Sequence, residues 1–279
     1  MVVLTDEEKS KMYKPTSRNI FKAMQWLVTD AQEGDVLFFY FSGHSAIVPN
    51  VKCVTEKDLS HKPCFMTILP SDYKANLIRD DQLWGSLVYP LQSGVQLIAL
   101  MDCCHAGTGL NTAFDHNLKH HKSDVVGYQR SAHAAGDVIV FSGYTEETQR
   151  NDIAVRKLTV GAMTRAFVEV LNELSCQKST YYEILTSLRT ALKEKHFDNV
   201  HPKLSSSQNF EISERLFSFE EEIFTNRNCF IGTYDQFHNV EGSRKLNDDF
   251  RMLQLDIFLF GRRWRVEQTG AEGVTNAFL

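Results

Sequence analysis

Apolar positions along this chain follow two rhythms. Three stretches are hydrophobic almost without interruption: "DVLFFYFSGH" (35–44), "GVQLIALMD" (94–102) and "GDVIVFSGYT" (136–145). Each has strand length. Unbroken rather than alternating hydrophobicity requires cover on both faces, as in a parallel sheet between helices. Elsewhere the apolar residues recur at helical spacing. In "PTSRNIFKAMQWLVTDAQEGD" (15–35), Pro15 and Thr16 open a helix, Ile20, Ala23, Leu27 and Ala31 share one face, and Gly34 closes it. "IRDDQLWGSLVYPL" (78–91), "VGAMTRAFVEVLNEL" (160–174) and "TYYEILTSLRTALKEK" (180–195) predict three more helices, and "SSSQNFEI" (205–212) leads into a short last strand. The alternation predicts an α/β fold: a largely parallel central sheet flanked by helices, a three-layer sandwich.

In such a sheet, reactive groups gather beyond the carboxyl ends of the strands. Two of the strands end in them. One runs out at Ser42-Gly43-His44, the other at Asp102-Cys103-Cys104-His105. If these strands are parallel neighbours, His44 and Cys104 share a crevice although 60 positions separate them (104 − 44). Residues 111–135 are rich in His, Lys and Asp without apolar period and predict a loop. From about residue 220 the rhythm fades, and "DDFRMLQLDIFLFGRRWRV" (248–266) is compatible with helix or strand but has no predicted place on the core.

Composition narrows the chemistry. A net charge of -5 argues against a nucleic-acid footprint, which needs a basic face. No apolar run approaches the ~20 residues of a membrane span. The start, "MVVLTDEEKSKMYKP", does not have the pattern of a secretion signal, so a soluble cytoplasmic protein is expected. The six cysteines are scattered and form no C-x-x-C pair, which predicts neither a disulfide framework nor a structural zinc. Most of them read as small core residues. Cys104 is the exception by position. A thiol attacks as thiolate, and His44 is placed to take its proton. Backbone N–H groups of the two strand-end turns are candidates to hold an oxyanion. The plain alternative is a structural histidine and a buried thiol.

"FFYFSGH" followed by "LMDCCHAGT" resembles the histidine and cysteine motifs of the type I metacaspases, caspase-like cysteine peptidases that cleave after Arg or Lys. Further stretches are similar in the same order: "KPTSRNIFKAMQWLVTDAQEGD", "IRDDQLW", "LVYPLQSGVQL", "VIVFSGYTEETQRND", "GAMTRAFVEVL" and "KLSSSQNFEI". The resemblance covers residues 1–219, leaving 220–279 as a C-terminal extension. It implies a caspase-like fold, His44 and Cys104 as catalytic residues, Ser45 and Cys104 as backbone oxyanion donors, and Ser42 and Asp102 as a pocket for the basic side chain. It also implies protein or peptide substrates with Arg or Lys at the cleaved position, and a monomer. Self-cleavage near Lys119, Lys122 or Arg130 is a further expectation.

The chain departs from the family at four places. Ser45 stands where the family has glycine, which loses freedom at positive φ. Asp80 and Asp81 match two members of an aspartate cluster that binds Ca²⁺ in the family, but Phe65 and Asn111 fall on the other two positions. A neutral amide and a phenyl ring are poor company for a cation whose affinity follows ligand charge. No cofactor is therefore required, and Ca²⁺ activation is expected to be weak or absent. Ala106 replaces a usual serine. The family's first strand and helix, with a further pocket acid, have no counterpart before Met1, so the sheet is expected to lack a central strand. These departures keep a second reading open: a pseudopeptidase that binds basic segments without cutting them.

Overall fold

The computed structural model of the chain describes residues 2–49, 64–103, 110–116, 123–125, 134–144, 161–174, 178–197, 200–217 and 256–262. Its centre is three parallel strands, β2 (Val36–Ser42), β6 (Gln96–Asp102) and β9 (Asp137–Tyr144), in the order β2-β6-β9. These are the three unbroken apolar runs. Alternate side chains of each strand face opposite sides, and both sides are covered. Leu37, Phe39, Phe41, Leu97, Ala99, Met101, Val138 and Val140 join one core, with α1 (Ser17–Val28) and α2 (Asp80–Leu83, continued by π-helical turns at Trp84–Val88). Phe38, Tyr40, Ile98, Leu100, Ile139 and Phe141 join the other, with α3 (Ala162–Leu174) and α4 (Tyr181–Glu194). The three-layer α/β sandwich follows from that division.

The helices begin where local chemistry says they should. Thr16 caps α1 by accepting from the Asn19 N–H, and the predicted face, Ile20, Ala23, Leu27 and Ala31, is buried. The helix stops at Val28, earlier than Gly34, and Asp30 turns the chain at φ 57. Gly34 and Gly94 both take positive φ, and the Gly34 N–H donates to the Gly94 carbonyl, so the turns that launch β2 and β6 are pinned together. Thr180 and Glu183 form a reciprocal capping box on α4.

The sheet is mixed, not largely parallel. Its order is β1-β11-β2-β6-β9-β10-β7-β8, and every pairing outside β2-β6-β9 is antiparallel. The added strands are β1 (Val2–Thr5), β7 (Phe114–His116), β8 (Ser123–Val125), β10 (His201–Ser206) and β11 (Asp256–Arg262). The expected last strand was placed too late: β10 ends at Ser206, and residues 212–217 pair by backbone with the start of α4 at 179–182. The stretch expected to be loop, 111–135, contributes β7 and β8. Their three residues each carry no readable alternation and take their register from the neighbouring strand. Residues 256–262, inside the C-terminal extension, lie between β1 and β2. A second, three-stranded sheet of β3 (Ser45–Pro49), β4 (Cys64–Ile68) and β5 (Ile78–Arg79) stands beyond the carboxyl end of β2.

Candidate active site

The register of the parallel centre places Ser42 directly beside Asp102. Neighbouring strands lie about 4.8 Å apart, so the two tips leave the sheet side by side. The Gly43 N–H donates to the Asp102 carbonyl at 3.2 Å, tying the first turn to the second strand. On the far side, the His44 carbonyl accepts from the Leu69 N–H at 3.0 Å, at the end of β4. The Gly43-His44 turn is thus held from both sides by backbone hydrogen bonds, and His44 is half-buried. Burial lowers its pKa, which favours the neutral imidazole, the form that accepts a proton.

Ser45 opens β3 opposite Ile68. Among the described residues, non-glycine positive φ occurs at Asp30, Asn111 and His196 only. Serine at position 45 therefore sits in ordinary backbone, and the turn does not demand a glycine there. Cys103 follows β6 and is buried. Cys104 and the turn behind it lie outside the described residues, as do Ala106, Lys119, Lys122 and Arg130.

Asp102 is buried, and its carboxylate is engaged by the start of α3. Oδ2 accepts from the Thr164 N–H at 2.8 Å and from the Thr164 hydroxyl at 2.5 Å. Thr164 has one hydroxyl proton, given to Asp102, so the Tyr40 hydroxyl donates to Thr164 Oγ1 at 3.0 Å. Burial pushes the Asp102 carboxyl up, while hydrogen bonds from Thr164 and the Gly161 N–H hold it down. A carboxylate oriented this way is a rigid acceptor at the carboxyl end of β6. Sequence reading missed Thr164 and Tyr40. The available signal was a hydroxyl in the first turn of an amphipathic helix, in "GAMTRAF".

The acidic pair at 80–81 is brought together differently. Asp80 is buried, and its Oδ1 accepts from the Asp81 N–H. Asp81 holds Arg79 through two bonds, Nε to Oδ1 at 2.8 Å and Nη2 to Oδ2 at 2.9 Å. The guanidinium lies 4.8 Å over the Phe65 ring. Phe65, on a position the resemblance assigned to a ligand, serves as a platform for a cation the chain already carries. Asn111 turns at φ 48. Among the described residues no group of three or more His, Cys, Asp or Glu could hold a metal ion. One carboxylate of the pair is thus ion-paired with Arg79.

Adjacent parallel strands of the α/β sandwich end at Ser42 and Asp102, which sets His44 just beyond one strand tip and Cys103 just beyond the other. Residues 1–113 match the family described as Metacaspase, peptidase C14 domain. The chain is 34% identical over 238 residues to Metacaspase-1 of Plasmodium falciparum, covering 83% of this chain and 37% of that protein. It is 29% identical over 257 residues to Metacaspase-1B of Aspergillus terreus, covering 76% and 66%. The crystal structure of protein GSU0716 from Geobacter sulfurreducens overlays with a TM-score of 0.48 at 16% identity, covering 72% of this chain and 78% of that one, too loose a likeness to carry weight. Residues 1–113 are thus similar to a caspase-like peptidase C14 domain, and the full-length relatives that the chain resembles are metacaspases. The chain spans between 37% and 66% of the length of these two curated relatives. Among the described residues no helix is long and apolar enough to cross a membrane.

Proposed function

We propose that this protein is a cysteine endopeptidase that cleaves after Arg or Lys. The observation that carries the reading is the in-register pairing of Ser42 with Asp102 on parallel strands, which starts both candidate motifs from one edge. In the proposed reaction His44 takes the Cys104 thiol proton, and the thiolate adds to the scissile carbonyl. Backbone N–H groups of Ser45 and Cys104 hold the oxyanion. The imidazolium returns its proton to the leaving amine, and water then releases the acyl group. Asp102, presented by Thr164 and flanked by Ser42, receives the substrate's guanidinium or ammonium. The Arg79–Asp81 pair supports activity without a Ca²⁺ requirement. The protein acts on polypeptides as a cytoplasmic monomer; scattered cysteines suit a reducing compartment.

The test is a fluorogenic peptide with Arg before the reporter, compared between the wild type and Cys104→Ala. Cleavage that disappears in the variant supports the proposal. Equal rates remove Cys104 as nucleophile. The second reading, binding without cleavage, is favoured by the tight Thr164 clasp on Asp102. Saturable binding of an uncleavable Arg peptide with no turnover of its cleavable twin would establish it.

A further inference from the structure

Strand β11 comes from the end of the described chain yet sits inside the sheet. Its seven residues pair along the whole of β2, from Asp256 opposite Ser42 to Arg262 opposite Val36. Its first four also pair with β1, from Asp256 opposite Thr5 to Leu259 opposite Val2. β1 joins the sheet through β11 alone in the observed strand order. The positions it meets include Leu4, Phe39 and Phe41, which are 2%, 0% and 0% exposed. Helix α1 packs across β11 as well as β1. A strand with ladders on both sides is normally fixed early by its neighbours in sequence. This one arrives after residues 218–255, and long connections add little to the cost of closure. Pairings of high sequence separation are intrinsically slow to form.

We propose that residues 256–262 are a plug-in strand: a separable apolar segment that fills a strand-acceptor slot between β1 and β2 by main-chain pairing. The slot recognises extended backbone, as in strand addition to a sheet edge. The occupant is this chain's own "DIFLFGR". Its sequence fits an extended strand: four consecutive apolar residues, Ile257–Phe260, two of them phenylalanines. The slot borders the site, because β2 leads directly into Gly43-His44. Emptying it exposes the β2 edge, which is a template for pairing with other chains.

The test uses the full chain with a site-specific protease sequence inserted between Gly242 and Ser243. After cutting, the tail fragment is expected to co-elute with the body. A fluorescent peptide of residues 254–264 should then replace it, and the Phe258→Pro form should bind at least about tenfold more weakly, since proline removes a ladder donor. In the uncut, unmodified chain the β2 amides should resist hydrogen exchange as strongly as those of β6. Immediate loss of the fragment with unchanged β2 protection would overturn the proposal. So would a bound fragment that never exchanges. Elution of the uncut chain as a dimer that becomes monomeric on cutting would assign the strand to a second copy and overturn the intramolecular assignment. None of these readouts uses peptidase activity, so the strand proposal can fail or stand separately from the proposed function.

Discussion

The two ends of the parallel strands handle polar groups in opposite ways. At the amino end they satisfy one another. Asp35 accepts from the Gln32 N–H. Asp137 accepts from Gln96 and from Arg215, whose guanidinium also lies 4.4 Å over the Phe210 ring. Ser207 accepts from the Val138 N–H and donates to the Gly136 carbonyl. His116 completes the set. Ser206 gives its proton to the Gln208 carbonyl, so His116 Nε2 must be the donor in the 2.7 Å contact with Ser206. At the carboxyl end, Asp102 is clasped by α3, while His44 stands half-buried just beyond the tip of β2. Both histidines have pKa values lowered by burial. Perturbation alone therefore does not mark chemistry. The end of the sheet at which the group stands does.

That contrast predicts which end loses activity and which loses stability. The largest effect belongs to the carboxyl end. Cys104→Ala should lower kcat/KM for a basic peptide by more than about a thousandfold, and His44→Ala by about 10²–10⁴-fold, with melting temperatures near the wild type. A His44 variant that melts much earlier would make that residue structural. Next comes the amino end. Arg215→Ala leaves the Asp137 carboxylate without its ion pair and should cost about 2 kcal/mol in urea unfolding, with turnover per folded molecule unchanged.

His116 supplies the pH dependence. Burial holds it at about 4 in the folded protein, below its ordinary value of 6.5. The unfolded chain binds more protons in between, so stability is full above pH 6.5 and falls as pH drops toward 4. Roughly 2 kcal/mol should be lost across that window, after discounting for residual solvent. His116→Gln should flatten the curve measured by denaturant titration at each pH. The smallest effect reverses sign. Asp102 is raised by burial, so its charge costs stability at neutral pH. Asp102→Asn keeps an acceptor for Thr164 and should gain about 1 kcal/mol while losing cleavage after Arg. A destabilised Asp102→Asn would mean that the charge itself holds α3.

The parallel centre and the helices were readable in the chain because each carries its own periodic signal. The runs at 36–42, 96–102 and 137–144 are apolar on both faces because both faces are buried, and α1 and α4 announce their starts through Thr16 and Thr180. The margins were not readable. β7 and β8 are three residues long and follow β10, and β11 is placed by two distant edges rather than by anything in its own neighbourhood. For the same reason the mixed character of the sheet was missed. At the site, Ser42, His44 and Asp102 followed from strand ends. Thr164, Tyr40 and the Arg79 clamp on Asp81 did not, since each depends on a contact between elements far apart in sequence.

One measurement reaches the central claim directly: the structure of the protein after reaction with a peptidyl-arginine ketone. The account predicts a covalent bond from Cys104 Sγ to the ketone carbon, with a His44 ring nitrogen within about 4 Å of that sulfur. An unmodified Cys104, or a His44 ring on the far side of the strand tips, would contradict it.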